Sequence, residues 1–273
     1  MAKKLAVAVI HGIGSQQPDF AQAMIDELNG WVGDLHKKDA DEIAWRPIYW
    51  ADILAPRQEE YLREANRNND LDYIGLRRFI LSALGDASAY RKVDSPENTA
   101  YDLIHGRVRD AINALDDALD VEDAPLIVMA HSLGGHIMSN YIWDMQKTDD
   151  NPPPGLTSFE TMQTLAGMVT FGCNIPLFTF AYTEIEPVKF PARQLPDPGD
   201  VRGKARWLNY YDPDDVLGYP LKSINAAYDA VVDEDIPINV GGLFSSWNPL
   251  SHNKYWTDND FTKPAAEFIA TFL

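Results

Sequence analysis

The sequence predicts an α/β fold, with a mainly parallel central sheet and helices on both of its faces. Three observations lead there. Short, near-continuous apolar runs such as LAVAVI (Leu5–Ile10), PLIVMA (Pro125–Ala130) and LAGMVTFG (Leu165–Gly172) have the character of strands buried on both sides. Between them lie stretches whose apolar residues recur at three and four, the period of a helix packed on one face. With 273 residues, 45% of them hydrophobic, the chain is long enough for one sizeable core. No repeat, no low-complexity tract and no Gly/Ser linker divides it, so a single domain over 1–273 is expected.

The elements follow in order. Leu5–Ile10 is a buried strand that ends in HGIG. Ala21, Met24, Ile25, Leu28, Trp31, Val32 and Leu35 form the apolar side of a first helix. EIAWRPIYW (Glu42–Trp50) is a second strand, and Pro47 assigns it to an edge or a bulge. Residues 56–95 interrupt the alternation with a charged helix around Glu59–Arg67. A second helix there carries Leu76, Phe79, Ile80, Ala83 and Leu84 on one face, and the pair reads as a helical insertion, a cap or lid near a cleft. Ser95 as N-cap with Pro96 behind it opens a long helix with Tyr101, Ile104, Val108, Ile112, Leu115 and Leu119 as its buried stripe. The strand Pro125–Ala130 leads through Ser132 into a helix from about Gly134 to Gln146. Leu165–Gly172 and Ala205–Asp212 are a fourth and a fifth strand, and Tyr228–Gly241 reads as a sixth. The last helix spans Lys263–Phe272.

Charge and cysteine content narrow the partners. The formal net charge is −18, so nucleic acid and anionic membrane surfaces are repelled. A single cysteine, Cys173, rules out an intrachain disulfide. The apolar stretch after Lys4 is shorter than the roughly 7–15 residues of a signal core, and no run approaches the ~20 residues of a membrane span. A cytoplasmic protein is the simplest expectation. No glycine-rich phosphate loop precedes a helix, so no cofactor is expected.

The stretch AHSLGG (Ala130–Gly135) carries the chemistry. A serine hydroxyl is a weak nucleophile until a base takes its proton and an acid orients that base. A serine between small residues, at a sharp turn from strand to helix, is held out to react. Here Ala130 and Gly134 are the small residues, a strand-like run precedes them and a helix-like run follows.

From Leu5 onward the pattern resembles the α/β-hydrolase superfamily, in particular its compact lipase and esterase-like members. The likeness is specific at HGIG, at AHSLGG, and at DPDDVLGYP with the later SHNKYW. It implies an α/β-hydrolase fold and a serine hydrolase acting on a carboxylic ester through an acyl-enzyme. It implies Ser132 as nucleophile and His252 as base, and oxyanion-hole N–H groups at Ile13 and Leu133. For the acid, the family's spacing to a Val and a Pro selects Asp214 through Val216 and Pro220, with Asp215 and then Asp212 as alternatives. The other histidines, His11, His36, His105, His131 and His136, fall in strand-end or helical positions. A metal at the aspartate cluster is not expected, because the stretch lacks the glycine and terminal Glu of an EF-hand loop. Apolar segments outside the strands, IPLFTFAY (Ile175–Tyr182), GGLFSSW (Gly241–Trp247) and the helix around Leu76–Leu84, favour a small apolar ester or acyl substrate. An acyltransferase with the same triad and a non-catalytic binding protein of the same fold are the alternatives.

Overall fold

The computed structural model describes residues 2–14, 16–93, 99–148, 153–193, 195, 200–241 and 251–273. Among these residues six strands form one sheet: β1 (Leu5–Ile10), β2 (Ile43–Ile48), β3 (Leu126–His131), β4 (Leu165–Phe171), β5 (Arg206–Tyr211) and β6 (Glu234–Pro237). Their order is β2-β1-β3-β4-β5-β6, and every pair is parallel. β1, β3 and β4 are buried at every position, as strands covered on both faces must be.

Alternate side chains of these strands feed two cores. Leu5, Val7, Val9, Ile127 and Met129 pack with helix α1 (Gln22–Asp34) and with the C-terminal helix on one face. Ala6, Ala8, Ile10, Val128 and Ala130 pack with the helices that precede and follow β3 on the other. Parallel connections of a single hand explain the split. The chain steps outward from β1 to β2 through α1, then reverses across β1 to β3, which puts the next crossover on the opposite face.

Among the described residues three α-helices lie between β2 and β3: α2 (Ala55–Asn69), α3 (Ile74–Ala89) and α4 (Ala100–Ala118). The expected start of α4 at Ser95 and Pro96 falls outside the described residues. Its cap is Thr99, whose hydroxyl accepts from the Asp102 N–H while the Asp102 carboxylate accepts from the Thr99 N–H. This reciprocal pair satisfies two orphan donors of the first turn. The expected stripe from Tyr101 to Leu119 is buried as far as Leu115, and Leu119, just past the helix end, is half-buried; His105 is buried with the stripe, bonded through Nε2 to the Tyr90 hydroxyl at 2.7 Å.

In α3 the burial runs against hydropathy. Tyr73, Leu76, Ile80 and Leu84 face solvent, with Leu76 58% and Leu84 65% exposed, whereas Ser82 and Asp86 are buried. The polar side turns inward because Asp86 finds donors there: the Gln58 side chain of α2 and the backbone N–H of Gly14.

After β3 come α5 (Leu133–Gln146), then β4, the short helices α6 (Ile175–Thr179) and α7 (Val201–Lys204), and β5. The segment from Tyr228 onward, expected as one strand, divides. The Asn225 side chain accepts from the Ala227 and Tyr228 N–H groups and starts α8 (Ala226–Val231), and only Glu234–Pro237 pairs with β5. The final helix α9 (Asn259–Ala270) begins four residues before the expected Lys263, because Asp258 caps it by accepting from the Asp260 N–H. No described helix is long and apolar enough to cross a membrane.

Candidate active site

β1 pairs with β2 on one side and β3 on the other, while the chain runs from β1 outward and then back. The carboxyl ends of β1 and β3 therefore flank the point where the strand order reverses, where open parallel sheets leave a crevice. His11 and Gly12 follow β1 there, and Ser132 follows β3.

Ser132 links the last residue of β3 to the first of α5, with φ 54° and ψ −125°. A residue with a side chain is costly in this region, and such strain persists only where the surroundings enforce it. Here the Ser132 N–H is held by the Phe171 carbonyl of β4, and its carbonyl accepts from the Gly135 N–H. Close packing explains the small neighbours. A Cβ on Gly134 would lie 2.7 Å from the His11 carbonyl oxygen, and one on Gly135 would lie 2.6 Å from Cys173 Sγ.

The Ser132 hydroxyl meets His252 Nε2 at 2.7 Å, and His252 Nδ1 meets Asp215 Oδ2 at 2.8 Å. A carboxylate only accepts, so Nδ1 carries the proton. In the neutral form of such a ring Nε2 is a bare acceptor, to which Ser132 Oγ–H can donate. His252 is fixed a second time through its backbone: its carbonyl accepts from His131 Nε2–H at 2.7 Å. That bond leaves His131 Nδ1 without a hydrogen-bond partner in a fully buried ring, and burial holds the His131 pKa well below that of an ordinary imidazole.

The carboxylate that reaches His252 is Asp215, not Asp214. β5 ends at Tyr211, and Asp212-Pro213-Asp214-Asp215 form a turn closed by the Asp215 N–H on the Asp212 carbonyl. Asp212 Oδ1 accepts from the Asp214 N–H, the side-chain turn that Asp favours ahead of Pro. The Asp214 side chain is exposed beside a surface cleft of about 640 Å³ that includes neither Ser132 nor His252. Asp215, one residue later, points back to the sheet. It also accepts from the Tyr255 hydroxyl at 3.0 Å and the Leu217 N–H at 3.0 Å. Burial raises the Tyr255 pKa and the nearby Asp215 charge adds to it, so Tyr255 is a donor here. Asp212 is buried, its carboxylate accepting the Val240 N–H at 2.8 Å. Sequence reasoning passed over Tyr255. The D-P-x-D pattern of the turn was the signal available for Asp215.

The turn after β1 lies directly on the serine. A Cβ on Gly12 would sit 2.3 Å from Ser132 Cβ and 2.8 Å from its Oγ. Ile13 follows it half-buried, and Leu133 is the first residue of α5, so its N–H has no acceptor within the helix. His11 shapes the same turn. Its Nδ1–H donates to the Gly12 carbonyl at 2.8 Å, its Nε2 accepts the Trp50 N–H, and its ring stacks on Trp50. Burial lowers the His11 pKa to about 4, so the ring is neutral near pH 7. The centre is closed: Ser132 is 0% and His252 2% exposed. We expect Gly12→Ala to destabilise the protein by about 1–3 kcal/mol through overpacking. A lower urea midpoint at unchanged slope checks this; a wild-type midpoint would mean that the turn yields freely.

His36 follows α1 and His136 lies in α5, stacked on Phe178 with ring centroids 4.0 Å apart; neither joins the centre. Residues 242–247 of the segment GGLFSSW lie outside the described residues. Among the described residues no group of three or more His, Cys, Asp or Glu is arranged to hold a metal ion. No protein-family model matches the chain, and a search of curated proteins finds no significant match.

Proposed function

We propose that the chain is a serine hydrolase of the α/β-hydrolase type, acting on a small apolar carboxylic ester. One observation carries the reading: the relay from Asp215 through His252 to Ser132, with hydrogen bonds of 2.8 and 2.7 Å. Neither bond is local in sequence, since Asp215 and Ser132 lie far from His252 along the chain. A serine serving only as a turn residue has no need of an imidazole backed by a buried carboxylate.

The steps follow from the proton positions. His252 Nε2 takes the Ser132 proton as Oγ attacks the acyl carbon, and Asp215 stabilises the imidazolium that forms. The N–H groups of Ile13 and Leu133 are the donors assigned to the developing oxyanion. His252 returns the proton to the departing alkoxide, leaving the acyl group on Ser132. Water then attacks, giving its proton to His252, and the acid departs as Ser132 regains its hydrogen.

The test is covalent labelling with a fluorophosphonate probe, on the native chain and on Ser132→Ala. Labelling of the native chain that disappears in the variant supports an activated serine at 132. A folded native chain that stays unlabelled overturns the hydrolase reading and leaves a binding protein. Adding an alcohol acceptor to the ester assay separates hydrolysis from acyl transfer by its product.

A further inference from the structure

The helical pair α2–α3 touches the candidate active site through one buried carboxylate. Asp86 is 3% exposed, on the inward face of α3. Its Oδ2 accepts the Gly14 N–H at 3.0 Å, and its Oδ1 accepts the Gln58 side-chain amide at 2.7 Å. Gln58 belongs to α2 and crosses α3 at Gly85, where a Cβ would lie 2.9 Å from Gln58 Nε2. Gly14 has φ 96°, a conformation that glycine adopts without strain. Two residues earlier, Gly12 rests on Ser132. A chain of contacts thus runs from α2 through Gln58, Asp86 and Gly14 to the turn over the serine hydroxyl.

From this geometry we propose that Asp86 is a positioning residue for the oxyanion turn, setting the Ile13 N–H by holding the Gly14 N–H beside it. The proposal rests on the hydrolase reading above. Two features favour positioning over simple packing. Burying an ionisable group on a helix that leaves Leu76, Ile80 and Leu84 to solvent is an expensive way to fill space, since a buried carboxylate needs donors to offset its desolvation. Its donors come from two separate elements, so the bond to Gly14 reports where α2 and α3 lie. Burial pushes the Asp86 pKa up, and the bonds from Gly14 and Gln58 pull it back.

A donor aimed at an oxyanion acts only as charge develops, so misplacing it lowers kcat and leaves KM nearly unchanged. Asp86→Ala is expected to lower kcat on a short-chain p-nitrophenyl ester by about 10- to 10³-fold, the upper end being the loss of one oxyanion donor. Asp86→Asn keeps an oxygen for the Gly14 N–H, and Gln58 can turn its amide to meet the new NH₂, so kcat recovers toward wild type. Thermal melts of both variants establish that they fold. Should Asp86→Ala fail to fold, Gln58→Ala replaces it: it cuts the tie to α2, and kcat again falls at constant KM.

Wild-type kcat in Asp86→Ala, or in Gln58→Ala if that variant stands in, overturns the proposal. Asp86→Asn as impaired as Asp86→Ala overturns it too. Failure of the wild-type chain to turn over ester or to label with fluorophosphonate is a different result. It overturns the hydrolase reading itself, and this assignment falls with it.

Discussion

Asp215→Asn lowers kcat on a short acyl ester by about 10⁴-fold, the scale of losing the orienting acid of a serine triad, and Asp214→Asn leaves it near the wild-type value. Asn fits where Asp215 sits, but it offers an NH₂ as readily as an oxygen. His252 is then free to carry its proton on Nε2, and in that tautomer it cannot accept from Ser132. Tyr255, whose hydroxyl donates to Asp215 Oδ2, holds the carboxylate but does not replace it. Asp214 has no such consequence, because its backbone N–H bonds to Asp212 and its side chain is exposed. Steady-state kinetics of the two variants side by side decide the matter. A loss confined to Asp214→Asn would return the acid's role to that residue and refute the geometry above.

Acidification from pH 7 to pH 5 should remove about 6 kcal/mol of stability through three histidines, a large part of the 5–15 kcal/mol typical of a folded domain. Burial lowers the pKa of His11, His105 and His136 to about 4. In the unfolded chain each titrates near 6.5. Between those values the unfolded state binds protons that the folded state does not, so stability rises with pH across this window. It is complete above pH 6.5 and is lost as pH falls toward 4, at roughly 2 kcal/mol per histidine by pH 5. His131, which burial holds well below the ordinary imidazole value, acts in the same direction. Urea unfolding at pH 7 and pH 5 measures the difference. An equal midpoint at both would show that these rings are protonated inside the fold.

The central strands were legible because their burial is two-sided. A run such as LAVAVI has no polar face to place, and β1 coincides with it from end to end. Ser132, marked by its turn context, and His252, implied by the family resemblance, meet at 2.7 Å. Spacing to Val216 and Pro220 ranks Asp214 ahead of Asp215, yet Val216 is 65% exposed and does not fix which carboxylate turns inward. The Asp-Pro turn ahead of it decides which carboxylate faces the sheet. The orientation of α3 was hidden for a related reason. Hydropathy favours burying Leu76, Ile80 and Leu84, but the partners of Asp86 lie in the turn after β1 and in α2, and no local pattern announces them. Val231 and Val232 favour an extended chain, and a single capping residue, Asn225, makes Ala226–Val231 helical.

The two outer strands of the described sheet bear on how this protein behaves when concentrated. β2 carries Pro47 and β6 ends in Pro237, so each outer strand lacks a backbone donor at one position. β6 is also only four residues long and begins Glu234-Asp235. A strand from a second molecule approaching either margin meets an interrupted ladder, and at β6 it meets negative charge on a chain already at −18. The sheet is therefore capped at both margins against lateral growth, and self-association by strand addition is disfavoured even where local concentration is high.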